Sequence, residues 1–296
     1  MKNNSITITY LSKISFASLN GADKDVDNIN PIKKITLDNG TELPYVSSQA
    51  LRRALRDRLE EMGESISIVT PGESKSPAST EGNPSIYIDD DLFGYMNANA
   101  RSQRTSPIRV ESLVAINIYK GDLDYGTNFM GVDKGGEPNI YETEVHSGIY
   151  RGTILIELDR IGKGRIINEN KKTKFDDSNF ISNEVKQHRV LAFIDAFRTL
   201  WSSGRQSRFL SDISPKFIAG AYMSVKNPIF LESVAIDKAG KVNTEELNSV
   251  VSDYQKFISD HVFAGQKATL NIIESTLTLD QGFAKIESWV KDYFKE

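Results

Sequence analysis

The stretch YVSSQALRRALRDRLEEM, residues 45–62, decides how the first part of this chain folds. Its apolar side chains recur every three or four residues and predict an amphipathic helix, with one face made of Leu51, Leu55, Leu59 and Met62. A separate face of the same helix carries Gln49, Arg52, Arg53 and Arg56. Either Ser47 or Ser48 can cap the first turn, where free N–H groups and the positive end of the helix dipole attract anions. The pattern predicts a phosphate-binding helix, although an ordinary amphipathic helix with a hydrated charged face has the same pattern.

The composition is typical of a soluble globular protein. The 296 residues are 39% hydrophobic, which is enough for one large elaborated domain or two small ones. No apolar run approaches the ~20 residues that cross a bilayer, and the N-terminus lacks the apolar core of a signal peptide. We therefore expect a cytoplasmic protein that does not contact a membrane. Because the chain has no cysteine, disulfides, thiolate zinc sites and cysteine nucleophiles are excluded.

The average charge argues against nucleic-acid binding, whereas its distribution favours it. The net charge is −4 and the isoelectric point is about 5.6, while proteins that bind nucleic acid are commonly basic. Arginines nevertheless cluster locally, at Arg52, Arg53, Arg56 and Arg58, at Arg101, Arg104 and Arg109, and at Arg205 and Arg208. The acids concentrate elsewhere, for example at Asp89, Asp90 and Asp91. Since phosphate contacts need a local stripe of cations, we expect one cationic and one acidic face if the clusters meet in the fold.

A series of short motifs runs through nearly the whole chain in a fixed order. The motifs are ITITYLSKISF (6–16), ASLNGAD (17–23), a loop with Pro31, Lys33 and Lys34, SSQALRRA (47–54), DLFGYM (91–96), SPIRVES (106–112), EVHSGIYRG (144–152) and SSGRQSRF (202–209). Together they resemble the RNA-binding backbone subunit of type I-B CRISPR Cascade complexes, in the DevR autoregulator family. One such string is weak evidence, whereas the whole series at plausible separations is specific.

The resemblance implies an α+β fold with an RRM-like, or ferredoxin-like, palm. The order strand, helix, strand, strand, helix, strand along the chain agrees with that fold. In the family, a finger region is inserted into the palm, here residues 64–105, and a thumb β-hairpin protrudes, here residues 120–147. We expect residues 1–296 to form a single elaborated domain of this kind, with a long loop over residues 70–84.

Local patterns predict the remaining elements. We expect strands over residues 110–119, 148–158, 217–225 and 230–236. A helix over residues 183–201 has a broad apolar stripe and should lie in the core, with Gly204 able to adopt the left-handed conformation after its end. Two further helices are predicted over residues 244–262 and 279–294.

The resemblance also assigns residues to the RNA. Two motifs should contact its backbone, one with Ser47, Ser48, Gln49, Arg52 and Arg53 and one with Gly204, Arg205, Gln206 and Ser207. We add Asn20 and Lys34 from the first loop, and, on local charge and proximity to the motifs, Arg56, Arg101 and Arg104. In the family the thumb folds over the RNA of the neighbouring copy and displaces one base, so Phe129 and Met130 are the candidate wedges.

Motifs for catalysis or for a cofactor are missing from the sequence. His146, His188 and His261 lack the spacing of a zinc site, and neither a nucleophile elbow nor a Walker loop occurs. Asp23, Asp25 and Asp27 imitate the start of a calcium loop, but Lys34 stands where its bidentate glutamate belongs. We expect no enzyme activity, no metal and no cofactor.

The resemblance implies a protein that holds RNA and does not react with it. Its partners would be a CRISPR RNA, target DNA paired to that guide, further copies of the chain in a helical filament, and Cascade subunits that bind the 5′ handle or form the large subunit. Two alternatives stay open. One is a metal-dependent RNA nuclease like the type III backbone subunits, in which an aspartate of the first loop, here Asp23 or its neighbours, cuts the target. The other is a structural or regulatory protein without nucleic acid.

Overall fold

The computed structural model describes residues 2–22, 29–72, 78–97, 102–167, 173–176, 179–201, 209–237, 239–270 and 276–295. The strands in this part of the chain are β1 Ser5–Ala17, β2 Ile29–Asn30, β3 Lys34–Thr36, β4 Glu42–Val46, β5 Val69–Thr70, β6 Ser79–Thr80, β7 Tyr95–Asn97, β8 Ser102–Arg104, β9 Ile108–Val110, β10 Leu113–Ala115, β11 Asp122–Asn128, β12 Asn139–Glu157, β13 Gly164–Ile167, β14 Thr173–Asp176, β15 Phe217–Met223 and β16 Ile258–Gly265. The helices are α1 Ser48–Glu61, α2 Ile88–Phe93, α3 Asn183–Arg198, α4 Thr244–Asp253 and α5 Leu279–Phe294.

A large, mostly antiparallel sheet organises the protein. Its strands lie in the order β16, β15, β1, β12, β10, β4, β3, and β2, β9 and β11 also pair with β12. The alternation in β1 explains its central place, because Ile6, Ile8 and Tyr10 are buried on one face while Thr7 and Thr9 are buried on the other. Both edges of β1 are paired as well, with β12 on one side and β15 on the other.

Three helices cover one face of this sheet. Along α3 the predicted apolar stripe is confirmed, since Val190, Phe193, Ile194 and Phe197 are fully buried. Phe197 meets Tyr10 of β1 edge to face, with ring centroids 4.8 Å apart. Side chains of α1, α3 and α5 belong to one hydrophobic cluster with this face of the sheet. The helix that carries the arginine motif is therefore fixed on the main core.

A second, smaller cluster lies on the opposite face. Phe217, Ala219, Ala221 and Met223 of β15 point to this side, together with Leu11 of β1. They are covered by the chain from Ile229 to Val242 and by Leu247 of α4. Both faces of the central strands are thus packed against protein, and little of the sheet around β15 is left for a ligand.

The C-terminal half corrects two predicted elements. The helix predicted over residues 244–262 ends at Asp253, and Ile258–Gly265 forms strand β16, which pairs with β15. The strand predicted over residues 230–236 forms turns instead, with only an isolated bridge from Ile236 to Val242. Successive side chains of residues 262–264 point to opposite faces of the sheet. Val262 and Ala264 face the helices, and Phe263 packs against the second cluster. A short apolar run of this kind fits a strand or a helix equally well until its neighbours are known.

Other elements differ from the prediction mainly in their bounds. Of the strand predicted over residues 110–119, only Val110, which ends β9, and residues 113–115, which form β10, are strand, and residues 116–119 are not. Both β9 and β10 pair with β12. Residues 148–158 lie almost wholly within the much longer β12. In the expected loop 70–84, residues 79–80 pair with residues 69–70. Helix α5 starts and ends at the predicted residues, with a capping box formed by Thr278 and Gln281.

A buried carboxylate at the end of β12 makes the stability of the fold depend on pH. Glu157 lies within 2.7 Å of Arg109 and within 3.1 Å of both Arg160 and Lys226. Burial by itself raises the pKa of Glu157, but these three cations outweigh it and hold the pKa below its ordinary value. Because the pKa of Glu157 is lower in the folded state, the ionised carboxylate stabilises the fold at pH values above the unfolded-state pKa of about 4.3. This stabilisation is lost as the pH falls through the folded-state pKa.

We expect the free energy of unfolding to fall as the pH is lowered from about 5 to about 3, and to fall less steeply in Glu157→Gln. Urea midpoints measured across this range provide the test. Glu232→Gln is the control, since Glu232 also pairs with an arginine but is largely exposed. Equal pH profiles for wild type and Glu157→Gln would contradict the assignment.

Candidate nucleic-acid interface

The start of α1 is held in place by residues of three motifs. Ser47 caps the helix, and its hydroxyl accepts a hydrogen bond from the Ala50 N–H at 3.3 Å. The Asn20 side chain accepts a hydrogen bond from the Ser47 N–H at 2.9 Å. Ser48 donates its hydroxyl to the carbonyl of Val110 at 2.6 Å, and its N–H donates to the Ser112 hydroxyl at 3.1 Å. Asn20 and Ser48 thus anchor the helix start to the end of β1 and to the connection between β9 and β10.

The polar face of α1 has an exposed part and an internal part. Gln49 is exposed, and Arg53 has 62% of its side chain exposed and pairs with Asp57 of the next turn at 2.7 Å. Arg52 lies deeper, donates to the carbonyl of Phe93 and stands 5.8 Å from the centre of the Phe93 ring. Burial, and then the neighbouring charge of Arg56, lowers the pKa of Arg52. Gln49 and Arg53 are therefore the side chains of this face best placed to meet a ligand.

Helix α2 fixes the inner arginines from the other side. Arg56 pairs with Asp89 at 3.0 Å and lies 4.9 Å from the centre of the Phe93 ring. Asp89 also accepts a hydrogen bond from the Ser67 N–H at 2.8 Å. The DLFGYM motif therefore supports the arginine face of α1 through the side chain and the carbonyl of Phe93.

The three consecutive aspartates of α2 are not a surface patch. Asp89, Asp90 and Asp91 each have 0% exposure, so the acidic face expected around them is wrong. Asp90 accepts hydrogen bonds from the Thr80 hydroxyl at 2.6 Å and from the Asn83 N–H at 2.8 Å. Each carboxylate thus has partners within the fold, as a buried charge requires.

Asp91 forms the centre of the buried charge network. Its two oxygens pair with Arg104 at 2.6 Å and with Arg189 of α3 at 2.8 Å, and it accepts a hydrogen bond from the Gly162 N–H at 3.0 Å. Arg104 also donates to the carbonyls of Asp91, Arg160 and Lys163. Its guanidinium is buried and has partners within the fold, and the RNA contact of Arg104 stays a prediction.

Sequence analysis missed Arg189. Arg189 lies four residues before Phe193 on the buried stripe of α3, and a cation at such a position signals a buried partner. Besides Asp91, it donates to the carbonyl of Pro84 at 2.7 Å. The network therefore links α3 to residues 84–86.

Lys34 is engaged at the base of the predicted thumb. Its ammonium pairs with Glu144 at 3.0 Å and lies 4.4 Å from the centre of the Tyr119 ring. Glu144 also accepts a hydrogen bond from the Ile32 N–H at 2.8 Å. These contacts fix the first loop to β12, and the RNA contact of Lys34 stays a prediction.

Residues 122–145 contain an antiparallel hairpin. Strand β11 pairs with β12 from Asp122 opposite Val145 to Asn128 opposite Asn139. Phe129 and Met130 lie at the tip with exposures of 61% and 88%. Such large apolar side chains in water are suited to contact a partner, as the wedge role requires.

The end of α3 lies beside α1. The Arg58 guanidinium donates to the Thr199 hydroxyl at 3.1 Å, which brings the last turn of α3 next to α1.

Some of the predicted site residues lie outside the described residues. They are the predicted RNA contacts Arg101, Gly204, Arg205, Gln206 and Ser207, and the aspartates Asp23, Asp25 and Asp27. In the part that the structure describes, no three His, Asp or Glu side chains form a group that could hold a metal ion.

A sequence profile of the family described as CRISPR-associated negative auto-regulator DevR/Csa2 matches residues 8–246. The chain belongs to this family. The match runs from β1 to the start of α4 and includes the start of α1, α2 and the hairpin of β11 and β12. The DevR/Csa2 assignment thus rests on the same segments that build the site.

Known proteins share the fold of this DevR/Csa2 family member. A chain of a solved "CRISPR RNA-guided surveillance complex, pre-nicking" has a TM-score of 0.64 and 14% identity, covering 97% of this chain and 99% of that one. A chain of a second "CRISPR RNA-guided surveillance complex" has a TM-score of 0.59 and 16% identity, with coverages of 96% and 98%. Both comparisons show the mixed α/β fold with its large antiparallel sheet.

A curated relative agrees with the DevR/Csa2 assignment over part of its length. It is the "CRISPR-associated protein Cas7/Cst2/DevR" of Myxococcus xanthus (strain DK1622), 29% identical over 147 residues. The aligned part is 42% of this chain and 48% of the relative, so the match spans about half of the relative's length.

Among the described helices, none is long and apolar enough to cross a membrane.

Proposed function

We propose that this protein is the guide-RNA-binding backbone subunit of a type I CRISPR surveillance complex, of the I-B kind. The observation that carries the proposal is the first two turns of α1, where Gln49 and Arg53 are exposed on one face of a helix that Ser47 caps. A helix N-terminus next to a guanidinium suits a phosphate of the RNA backbone. The family assignment supports the role, since the profile is that of a CRISPR-associated family.

We infer that the palm is RRM-like. The strands β15, β1, β12 and β10 are neighbours in that order, and all their pairings are antiparallel. Helix α1 lies between β1 and β10 along the chain, and α3 lies between β12 and β15. The RNA-binding face of many RRMs is the sheet itself, but here the second cluster covers the sheet around β15. We therefore assign the RNA contact to the start of α1 and to the residues that hold it.

The proposed mechanism is binding and presentation of the guide. Arg53 and Gln49 neutralise or hydrogen-bond backbone phosphates without reading the bases, while the hairpin of the next copy, with Phe129 and Met130 at its tip, interrupts the base stack. Further copies form a helical filament along the CRISPR RNA. The exposed guide bases then pair with target DNA, and subunits that bind the 5′ handle or form the large subunit complete the complex.

We further propose that the chain holds RNA without cutting it. Two of the three histidines have side-chain partners in the fold, since His146 hydrogen-bonds Tyr150 at 2.9 Å and His188 contacts Glu64 at 2.8 Å. The nuclease alternative assigns metal-dependent cutting to Asp23. It predicts magnesium-dependent cleavage that Asp23→Ala abolishes, whereas the proposed role predicts intact RNA with and without magnesium.

The proposed function is tested by purifying the protein from cells that express a CRISPR array together with the neighbouring genes. We expect a large assembly with a high ratio of absorbance at 260 to 280 nm, which releases one discrete repeat-derived RNA. A protein peak free of RNA from the same cells would contradict the proposal and favour a regulatory role without nucleic acid.

A further inference from the structure

The end of β1 places an aromatic ring at the surface. Phe16 is 51% exposed, although its type is usually buried. It contacts Phe209 edge to face, with ring centroids 5.3 Å apart and planes at 64°. Phe209 itself is 3% exposed and belongs to the main core. Phe16 is therefore a half-exposed ring that packs against a buried one.

A β-bulge turns Phe16 outward. The pairing of β1 with β12 is regular up to Ile14 opposite Gly148 and resumes at Ala17 opposite His146. Two residues of β1, Ser15 and Phe16, therefore lie opposite the single residue Ser147. Ser15 and Phe16 are both exposed, while Ile14 and Ala17 on either side are buried. Bulges of this kind commonly re-aim a side chain next to a functional site.

The ring lies close to the proposed RNA contact. Four residues after Phe16, Asn20 accepts the hydrogen bond from the Ser47 N–H at the start of α1. Four residues of extended chain span at most about 14 Å. One short stretch of RNA can therefore reach both the capped helix start and the Phe16 ring.

We propose that Phe16, supported by Phe209, is a stacking platform for one base of the bound RNA. The inference rests on the proposed function and extends it to a contact with a base. An aromatic face accepts every base, because each has a π-face of its own. The contact would hold one base in position without making the protein sequence-specific, as a guide-binding protein requires.

The test measures binding of two single-stranded oligoribonucleotides, all-uridine and all-adenosine, to wild type, Phe16→Ala and Phe16→Tyr. We expect Phe16→Ala to bind both about tenfold more weakly and Phe16→Tyr to bind within about twofold of wild type, since tyrosine keeps the ring. Ile68→Ala is the matched control, because it removes another largely exposed apolar side chain, far along the chain in the finger region.

A second measurement is independent of affinity. In Phe16→Trp, RNA that stacks on the new indole should quench fluorescence beyond the change seen in wild type, which has Trp201 and Trp289. Unchanged affinity of Phe16→Ala, or no added quenching, would overturn the stacking role and leave the proposed function standing. Weaker self-association of Phe16→Ala without RNA, at unchanged RNA affinity, would assign the ring to a protein contact instead. Wild type that binds neither RNA would overturn both proposals.

Discussion

Asp91→Asn is expected to destabilise the protein by about 3–5 kcal/mol, because it leaves two buried guanidinium groups without a counter-charge. Arg104 and Arg189 both pair with Asp91, and all three side chains are almost wholly buried. Asparagine has nearly the same shape, so the loss arises from the charge and not from a cavity. Urea unfolding followed by circular dichroism measures the difference.

A matched control shows whether the loss of stability is specific to Asp91 or follows the removal of any aspartate carboxylate. Asp133→Asn removes the same charge from an exposed turn at the tip of the hairpin and should change the stability by less than about 0.5 kcal/mol. If Asp91→Asn unfolded at the same urea concentration as wild type, the buried network would not be important for stability.

Arg53→Glu is expected to weaken RNA binding about ten- to a hundredfold, equally for all sequences. Arg53 is the exposed guanidinium at the start of α1, and a charge-assisted hydrogen bond to a phosphate contributes about 1.5–3 kcal/mol. The dependence of log K on log salt should also become shallower, by about 0.7 for each phosphate of single-stranded RNA that the variant no longer neutralises. Titrations of several unrelated RNAs at two or more salt concentrations measure both effects.

Lys241→Glu makes the same change in charge on an exposed turn beside α4, on the side of the second cluster. It should alter affinity far less, since only long-range, screened electrostatics remain at that distance. Equal losses for Arg53→Glu and Lys241→Glu would mean that net charge, and not the start of α1, determines binding. A loss for some RNA sequences but not others would contradict a contact to the backbone.

The sequence predicted the helices best where several local signals agreed. Helix α5 has a capping Thr278, a matching Gln281 and a continuous apolar stripe, and both of its predicted ends are confirmed. Helix α1 has a serine cap and three leucines at helical spacing, all of them buried. Residues 258–265 lacked such signals, and their pairing with β15 decided that they form a strand.

The candidate site was predicted less completely, because charged residues were judged by their neighbours in sequence. The acids at Asp89, Asp90 and Asp91 look like a hydrated run, and Arg104 looks like part of a cationic cluster. In the fold they are buried together, where burial is tolerated only because each charge has a partner. Gln49 and Arg53 were placed correctly on the polar face of α1, since helical periodicity alone determines that face.

By itself the sequence determined the capped arginine helix, the apolar stripes of α3 and α5 and the family, because these depend on local spacing and on the order of motifs. Only the tertiary structure decided which charges face solvent and which are buried. The partners of Asp91 lie 13 and 98 residues further along the chain, at Arg104 and Arg189. No local pattern encodes such pairings, since they exist only after the sheet and the helices have packed and excluded water from the carboxylate.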